Sequence, residues 1–353
     1  MSPSVRRIIA AVAAAGLGIG ASACGGSTTA TGGGPKVVAL LVPNTQLNFA
    51  QEMIVGFRAG VEQVGAVDHL TTGPPSTDSP RELELFNGLT GQAKDGVAVF
   101  TLAAGLFAPA LQAAGKTGLP LLAVDNPPGP GSGVNLFIGN DNYRLGRMLA
   151  DQAIALLPAG ARGSVVLGNT GPGVQVLDLR ARGIRDEFAK RLPDVEVLGP
   201  FDTKQDVSAN LVAWSSLVRA NPTALAFLGT ADADGWHLAS IRQHLHATWV
   251  AGAFDLDPRS LRAVRAGQLV LVSPEHFVKG AVAGRLLAGA ATGRGKLPQG
   301  WLETPGLVVD RSNVDAVIRR QTSYQTRVAW FRAEVDELVA DPASHLRPLA
   351  EAG

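Results

Sequence analysis

The chain has 353 residues, 46% of them hydrophobic and 17% charged, with a formal net charge of +1. That length supplies two ordinary domains with separate cores, and a balanced charge with no basic block argues against nucleic acid as a partner. The single cysteine, Cys24, excludes an intramolecular disulfide.

The N-terminus has the three-part layout of an export signal. Arg6-Arg7 is a short basic start, Ile8 to Ile19 is an apolar run, and Ala21-Ser22-Ala23 closes it with small residues. The run is too short to span a bilayer comfortably, so residues 1–23 read as a signal peptide. The small residues ending in Cys24 resemble a bacterial lipobox, with Ala21 where Leu is usual. That resemblance implies that Cys24 becomes the lipidated first residue of an exported protein facing the periplasm or cell exterior. The alternative is a plain signal peptide with an incidental cysteine. Residues 24–35 are small and read as a flexible tether, able to hold a folded body at a membrane through lipid chains.

From Lys36 onward strands and helices alternate. Val37–Val42 is a continuous apolar run, as expected of a strand buried on both faces. A helix follows over Phe49–Val64, with Met53, Ile54, Phe57, Val61 and Val64 at helical spacing. Val67–Thr71 is a weaker strand. Ser79 as N-cap, Pro80 and Glu82 announce the next helix. Gly96–Thr101 is a strand, Leu106–Lys116 a helix, and Leu119–Val124 a strand that stops on Asp125. After a Pro- and Gly-rich loop, Asn135–Ile138 is a short apolar run, and Asn140-Asp141-Asn142 leads into an amphipathic helix.

The second half repeats the pattern. Strands are expected at Ser164–Leu167, Val195–Leu198, Ala224–Leu228 and Trp249–Phe254, and helices at Val176–Leu192, Val207–Ala220 and Gly235–His246. The last of these strands again ends on a carboxylate, Asp255, with Pro258 shortly after. Leu269–Ser273, Phe277–Ala290 and Leu307–Val309 add a strand, a helix and a strand. Ser312 to Val339 reads as one or two amphipathic helices that pack on a lobe; contact with a partner is the alternative. Such alternation predicts an α/β fold of two doubly wound parallel-sheet lobes.

The order of elements and several local motifs resemble the type I periplasmic-binding-protein family, and within it the ribose- and galactose-binding group. The motifs are Val37–Val42 followed by Asn48-Phe49, Leu121–Asp125, Gly139-Asn140-Asp141-Asn142, Arg180-Ala181-Arg182-Gly183, Phe227 followed by Asp232, and Gly252-Ala253-Phe254-Asp255. The resemblance implies two lobes joined by a hinge of three crossings, near Ile138–Asn140, Ser273–Glu275 and Thr304–Gly306. Lobe one is then 36–138 plus 275–303, lobe two 139–274 plus 304–313, and 314–353 a C-terminal helical tail. It further implies a monomeric, lipid-anchored binding protein of a bacterial ABC sugar importer, with a small sugar or polyol as ligand and the ABC permease as partner. A ligand-presenting sensor subunit, or binding of a nucleoside or amine, is the alternative.

A polyol site needs carboxylates to accept hydroxyl protons, amides and guanidinium groups to donate, and an aromatic ring against the C–H face. The resemblance places Phe49 as a stacking ring, Asp125 and Asp255 as strand-end carboxylates, Arg180 as the cleft arginine, and Asp232 at a family Asn-Asp pair that is not preserved. Asn126 stands where the family often has Arg. Glu275 stands near a family Gln, and Trp236 is a candidate second ring. The alternatives are Phe49 as a core residue, Asp125 as a turn residue and Trp236 as helix packing. Asp125→Ala is expected to abolish binding and leave the fold intact. No cofactor, metal site or catalytic motif is read in the chain: G-x-S-x-G and HExxH do not occur, and His244 and His246 do not share a helix face.

Overall fold

The computed structural model of the protein describes Gly34–Ala352; the signal, Cys24 and most of the tether lie outside these residues. Lobe one begins with β1 (Lys36–Leu41), α1 (Asn48–Val64), β2 (Val67–Thr72), α2 (Ser79–Thr90), β3 (Val97–Val99), α3 (Ala104–Lys116), β4 (Leu121–Val124) and β5 (Leu136–Gly139). The chain then builds lobe two from α4 (Asn142–Ala155), β6 (Gly163–Asn169), α5 (Gln175–Arg191), β7 (Val195–Asp202), α6 (Val207–Ala220), β8 (Ala226–Leu228), α7 (Asp232–His244), β9 (Val250–Phe254), α8 (Pro258–Arg265) and β10 (Val270–Ser273). It returns through α9 (His276–Ala291) and β11 (Gly300–Glu303), then runs through β12 (Leu307–Val309), α10 (Val314–Arg320), α11 (Tyr324–Ala340) and β13 (Leu346–Arg347).

The strands form two sheets. The first has the order β13-β11-β5-β4-β3-β1-β2 and the second β12-β10-β9-β8-β6-β7. All pairings are parallel except β11 with β13 and β10 with β12. The inner strands are apolar on both faces because helices cover both sides. Every residue of β5, β9 and β10 is buried.

Close helix pairs lean on each lobe. In lobe one, α1 crosses α9 so tightly that a Cβ on Gly56 would collide with the Phe277 carbonyl, and one on Gly280 with the Met53 carbonyl. In lobe two, α4 and α5 meet the same way, Gly146 against the Arg180 carbonyl and Gly183 against that of Tyr143. The glycine in Arg180-Ala181-Arg182-Gly183 is therefore a packing device that brings Arg180 close to α4.

The chain passes between the sheets after β5, after β10 and after β11. The C-terminal segment adds a further passage. Val314 and Val317 of α10 join the core of lobe two, whereas Phe331, Val335 and Leu338 of α11 join that of lobe one. Phe331 stacks on Phe277, with ring centroids 5.0 Å apart, and β13 extends the first sheet beside β11.

Several local expectations change. Asp78, not Ser79, caps α2, its carboxylate accepting from the Arg81 amide at 3.0 Å. Glu82 is buried and accepts a 3.1 Å hydrogen bond from Thr101, so the pair makes no capping box. The α7 helix starts at Asp232, three residues before the expected Gly235. Asp257 as N-cap and Pro258 in the first turn open α8, a helix outside the expected set. The strands β11 and β13 are short and carry no period of their own; register with β5 makes β11 a strand.

Candidate functional site

Parallel sheets place their strand C-termini together, and here both sheets turn those ends toward one cleft. Asp125 follows β4 and Asp255 follows β9. Both have positive φ, 66° and 72°, and so does Glu275 just past β10, at 52°. Asp tolerates this left-handed conformation better than most residues. It still costs free energy, and such outliers cluster where side chains are aimed at a function. The backbone holds the turns in place: the Asp125 amide donates to Ile138 at 2.8 Å and the Asp255 amide to Val272 at 3.1 Å.

The cleft narrows to a cavity of about 60 Å³ whose lining includes Phe49, Asp125, Arg180, Asp232, Asp255 and His276. Five residues singled out in the sequence thus meet at one point. Phe49 is half-buried, edge-on to Phe100 at 5.6 Å and tilted to His276 at 5.8 Å. It both lines the cavity and packs on the lobe-one core. Arg180, only 3% exposed, donates from Nε to Asn142 at 2.9 Å and from Nη1 to the Thr230 carbonyl at 2.9 Å. Its guanidinium carbon lies 4.5 Å from the Phe254 ring centroid. Arg182, by contrast, is exposed beside Tyr143.

His276 spans the cleft. Its Nε2 lies 2.9 Å from Asp255 Oδ1 and its Nδ1 3.5 Å from Asp125 Oδ1. Asp125 also pairs with Lys279, which is fully buried and donates 2.8 Å to Asn140 Oδ1. Burial pushes the Asp125 carboxyl up, but Lys279, His276 and Arg180 together pull it down to about 2. Asn140 in turn donates to the Thr304 and Pro305 carbonyls at 3.0 and 2.8 Å. Lys279 and Asn140 therefore join Asp125 to two of the passages between the lobes. Residues 38–295 match the periplasmic binding protein domain family.

The chain belongs to the periplasmic binding protein family. A comparison of the sequence with curated proteins finds no match. Among solved structures, this periplasmic binding protein is similar to a glucose-galactose binding protein from Geobacillus stearothermophilus. The two share 19% identity and a TM-score of 0.71, over 80% of this chain and 99% of that one. It is also similar to a solute-binding protein from Agrobacterium vitis bound with α-D-tagatopyranose, at 22% identity and a TM-score of 0.73, over 80% and 98% of the two chains. A third, from Burkholderia graminis in complex with D-arabinose, has 20% identity and a TM-score of 0.70 over 78% and 96%. At such identities the likeness is one of fold: two α/β lobes with mostly parallel sheets.

Three candidates stand outside the cavity of this periplasmic binding protein. Asn126 is buried, and its Nδ2 donates 2.9 Å to the Thr101 carbonyl, bracing the loops after β3 and β4. Trp236 lies on α7 against a separate groove, with the Arg259 guanidinium stacked 3.6 Å from its ring centroid. Glu275 turns away to form a buried ion pair with Arg320 of α10 at 2.8 Å. The left-handed backbone at Glu275 hands the cleft position to the next residue, His276.

His276, Lys279 and Asn140 are the site residues that sequence reasoning missed. His276 directly follows Glu275, the carboxylate expected at that turn. Lys279 sits one turn along α9 in an Ala- and Gly-rich stretch, and a lone lysine in such a stretch is itself a signal. Asn140 stands in the sequence as part of a polar triplet at the first crossing. In that triplet Asn140 ties the passages together, Asp141 caps α4 at 2.9 Å from the Arg144 amide, and Asn142 holds Arg180.

Proposed function

We propose that this protein captures a small sugar or polyol between its lobes and delivers it to an ABC permease. One observation carries the reading. Strand-end carboxylates from both sheets, Asp125 and Asp255, meet Arg180 and an aromatic wall of Phe49 and Phe100 around one cavity. Carboxylates accept hydroxyl protons, the guanidinium donates, and the rings cover a C–H face. The sugars named for the similar solved structures, tagatose and arabinose among them, support the same class. Arg180, Asp125 and Asp255 are the direct contacts in this reading, with Phe49 stacking; Asn126, Trp236 and Glu275 act from outside.

In this reading the mature chain begins at a lipidated Cys24, faces the cell exterior or periplasm, and works as a monomer tethered to a membrane. Cys24→Ser is expected to release the protein from membranes; retention of the variant would remove the anchor from the account.

The test of binding is calorimetry or thermal shift with pentoses, hexoses and polyols. A ligand present at a hundred times its Kd stabilises the folded state by about 2.7 kcal/mol, a shift well within reach of the method. If only anionic solutes raised the melting temperature, the proposed ligand class would be wrong.

A further inference from the structure

Of the carboxylates lining the cavity, Asp232 alone lacks a basic partner in contact with it among the described residues. Asp125 has Lys279, and Asp255 has His276. Asp232 is 3% exposed, lines the cavity, and its Oδ1 has no hydrogen-bond partner among the described residues. It is the first residue of α7, but its neighbourhood is anionic. The groups that bear on it are Asp255 after β9, Asp257 and Arg259 at the start of α8, and last Glu52 of α1, an acid that burial keeps largely protonated. Arg259 is already engaged: its Nε and Nη2 both donate 2.8 Å to the Asp257 carboxylate, and its plane stacks on Trp236. Arg180 and His276 line the same cavity, with Arg180 held by Asn142 and Thr230 and His276 by Asp255. Burial, followed by the charges of Asp255 and Asp257, pushes the Asp232 carboxyl well above its usual range.

A buried carboxyl that faces other carboxylates and lacks a donor is complementary to a group that brings donors and positive charge together. An ammonium does both: it has three N–H donors and no acceptor to clash with the anions. A neutral hydroxyl brings one donor and leaves the anionic surroundings uncompensated. A phosphate or carboxylate ligand would add to the repulsion.

We propose that the ligand is an aminated sugar or polyol whose ammonium group is held by Asp232, with Asp255 beside it. The proposal rests on the sugar or polyol reading of the cleft and narrows its ligand class. Asp232 then sets specificity, while Asp125, Arg180 and the aromatic wall serve the rest of the ligand.

The experiment is calorimetric titration of the purified protein at neutral pH with matched pairs: glucosamine and glucose, galactosamine and galactose, and 1-amino-1-deoxysorbitol and sorbitol. For at least one pair the amine is expected to bind about tenfold tighter or more, the scale of one charge-assisted hydrogen bond. Asp232→Asn keeps the shape and removes the acidic group, and should bring the ratio of amine to neutral-parent affinity close to one. Asp232→Ser is the second variant, and the wild-type pairs alone decide should neither variant fold. Neutral parents that bind as tightly as their amines, or a preference that survives in Asp232→Asn, would overturn the proposal and leave the sugar reading standing. If no member of any pair binds, both fall.

Discussion

Asp125 illustrates how a residue chosen for binding can also be a structural necessity. Its carboxylate is the partner of a fully buried Lys279 ammonium. Burial pushes that ammonium toward its neutral form and Asp125 pulls it back. Removing one partner of a buried ion pair leaves the other charge uncompensated, which costs about 3–5 kcal/mol, whereas replacing both with apolar groups is often neutral. Asp125→Ala is therefore expected to lower the unfolding free energy by about that amount in a denaturant titration, against the sequence expectation of an intact fold. Asp125→Ala combined with Lys279→Met should recover most of the loss. Recovery of stability without recovery of ligand binding would separate the two roles of Asp125.

At the scale of elements, α1 and α2 each carry an acid that burial keeps protonated. Burial lifts Glu82 of α2 to about 8, against a downward pull from the Thr101 hydroxyl. Burial, and then Glu275, lift Glu52 of α1 to about 8, with Arg320 opposing. Between the ordinary carboxyl value of 4.5 and about 8 the folded protein binds more protons at these sites than the unfolded chain does. Stability therefore falls as pH rises through that window, by up to about 1.4 kcal/mol per pH unit for each such group. Melting temperatures measured from pH 5 to pH 8 should decline, and Glu82→Gln should flatten the slope; an unchanged slope would show that Glu82 is not the titrating group. The α1–α9 crossing makes a second prediction. Gly56→Ala drives a methyl group into the Phe277 carbonyl and should cost about 1–3 kcal/mol by overpacking. A crossing this close exists only where glycine permits it, and α9 carries His276 and Lys279 into the site.

For the whole molecule, one side-chain contact bridges the lobes at the cavity: His276, which begins a helix of lobe one, bonds Asp255, which ends a strand of lobe two, at 2.9 Å. Hinge closure about the connecting strands is the recurrent motion of such binding proteins. His276→Ala removes this contact, and small-angle scattering of the ligand-free variant should show a larger radius of gyration than the wild type. Saturating ligand should bring both to the same compact value. An unchanged radius in the free variant would mean that other contacts hold the lobes. The C-terminal segment bears on the same motion. With α10 in the core of lobe two and α11 in that of lobe one, and Arg320 bonded to Glu275 between them, it is one more strap across the hinge.

The alternation of apolar strands and amphipathic helices determined the two-lobed α/β architecture, because period and burial are properties of local sequence. It also placed Asp125 and Asp255, since a strand that stops on a carboxylate announces itself by the end of its apolar run. The short strands β11 and β13 could not be read this way, because partners far away in the chain make them strands. Nor could the sequence decide between Glu275 and His276. Both are polar residues at one turn, and a left-handed backbone angle sends one to Arg320 and the other into the cleft. Lys279, Asn140 and the lone carboxyl of Asp232 acquire their meaning only from neighbours brought in by folding. Charge compensation depends on three-dimensional distance, and sequence separation carries no information about it.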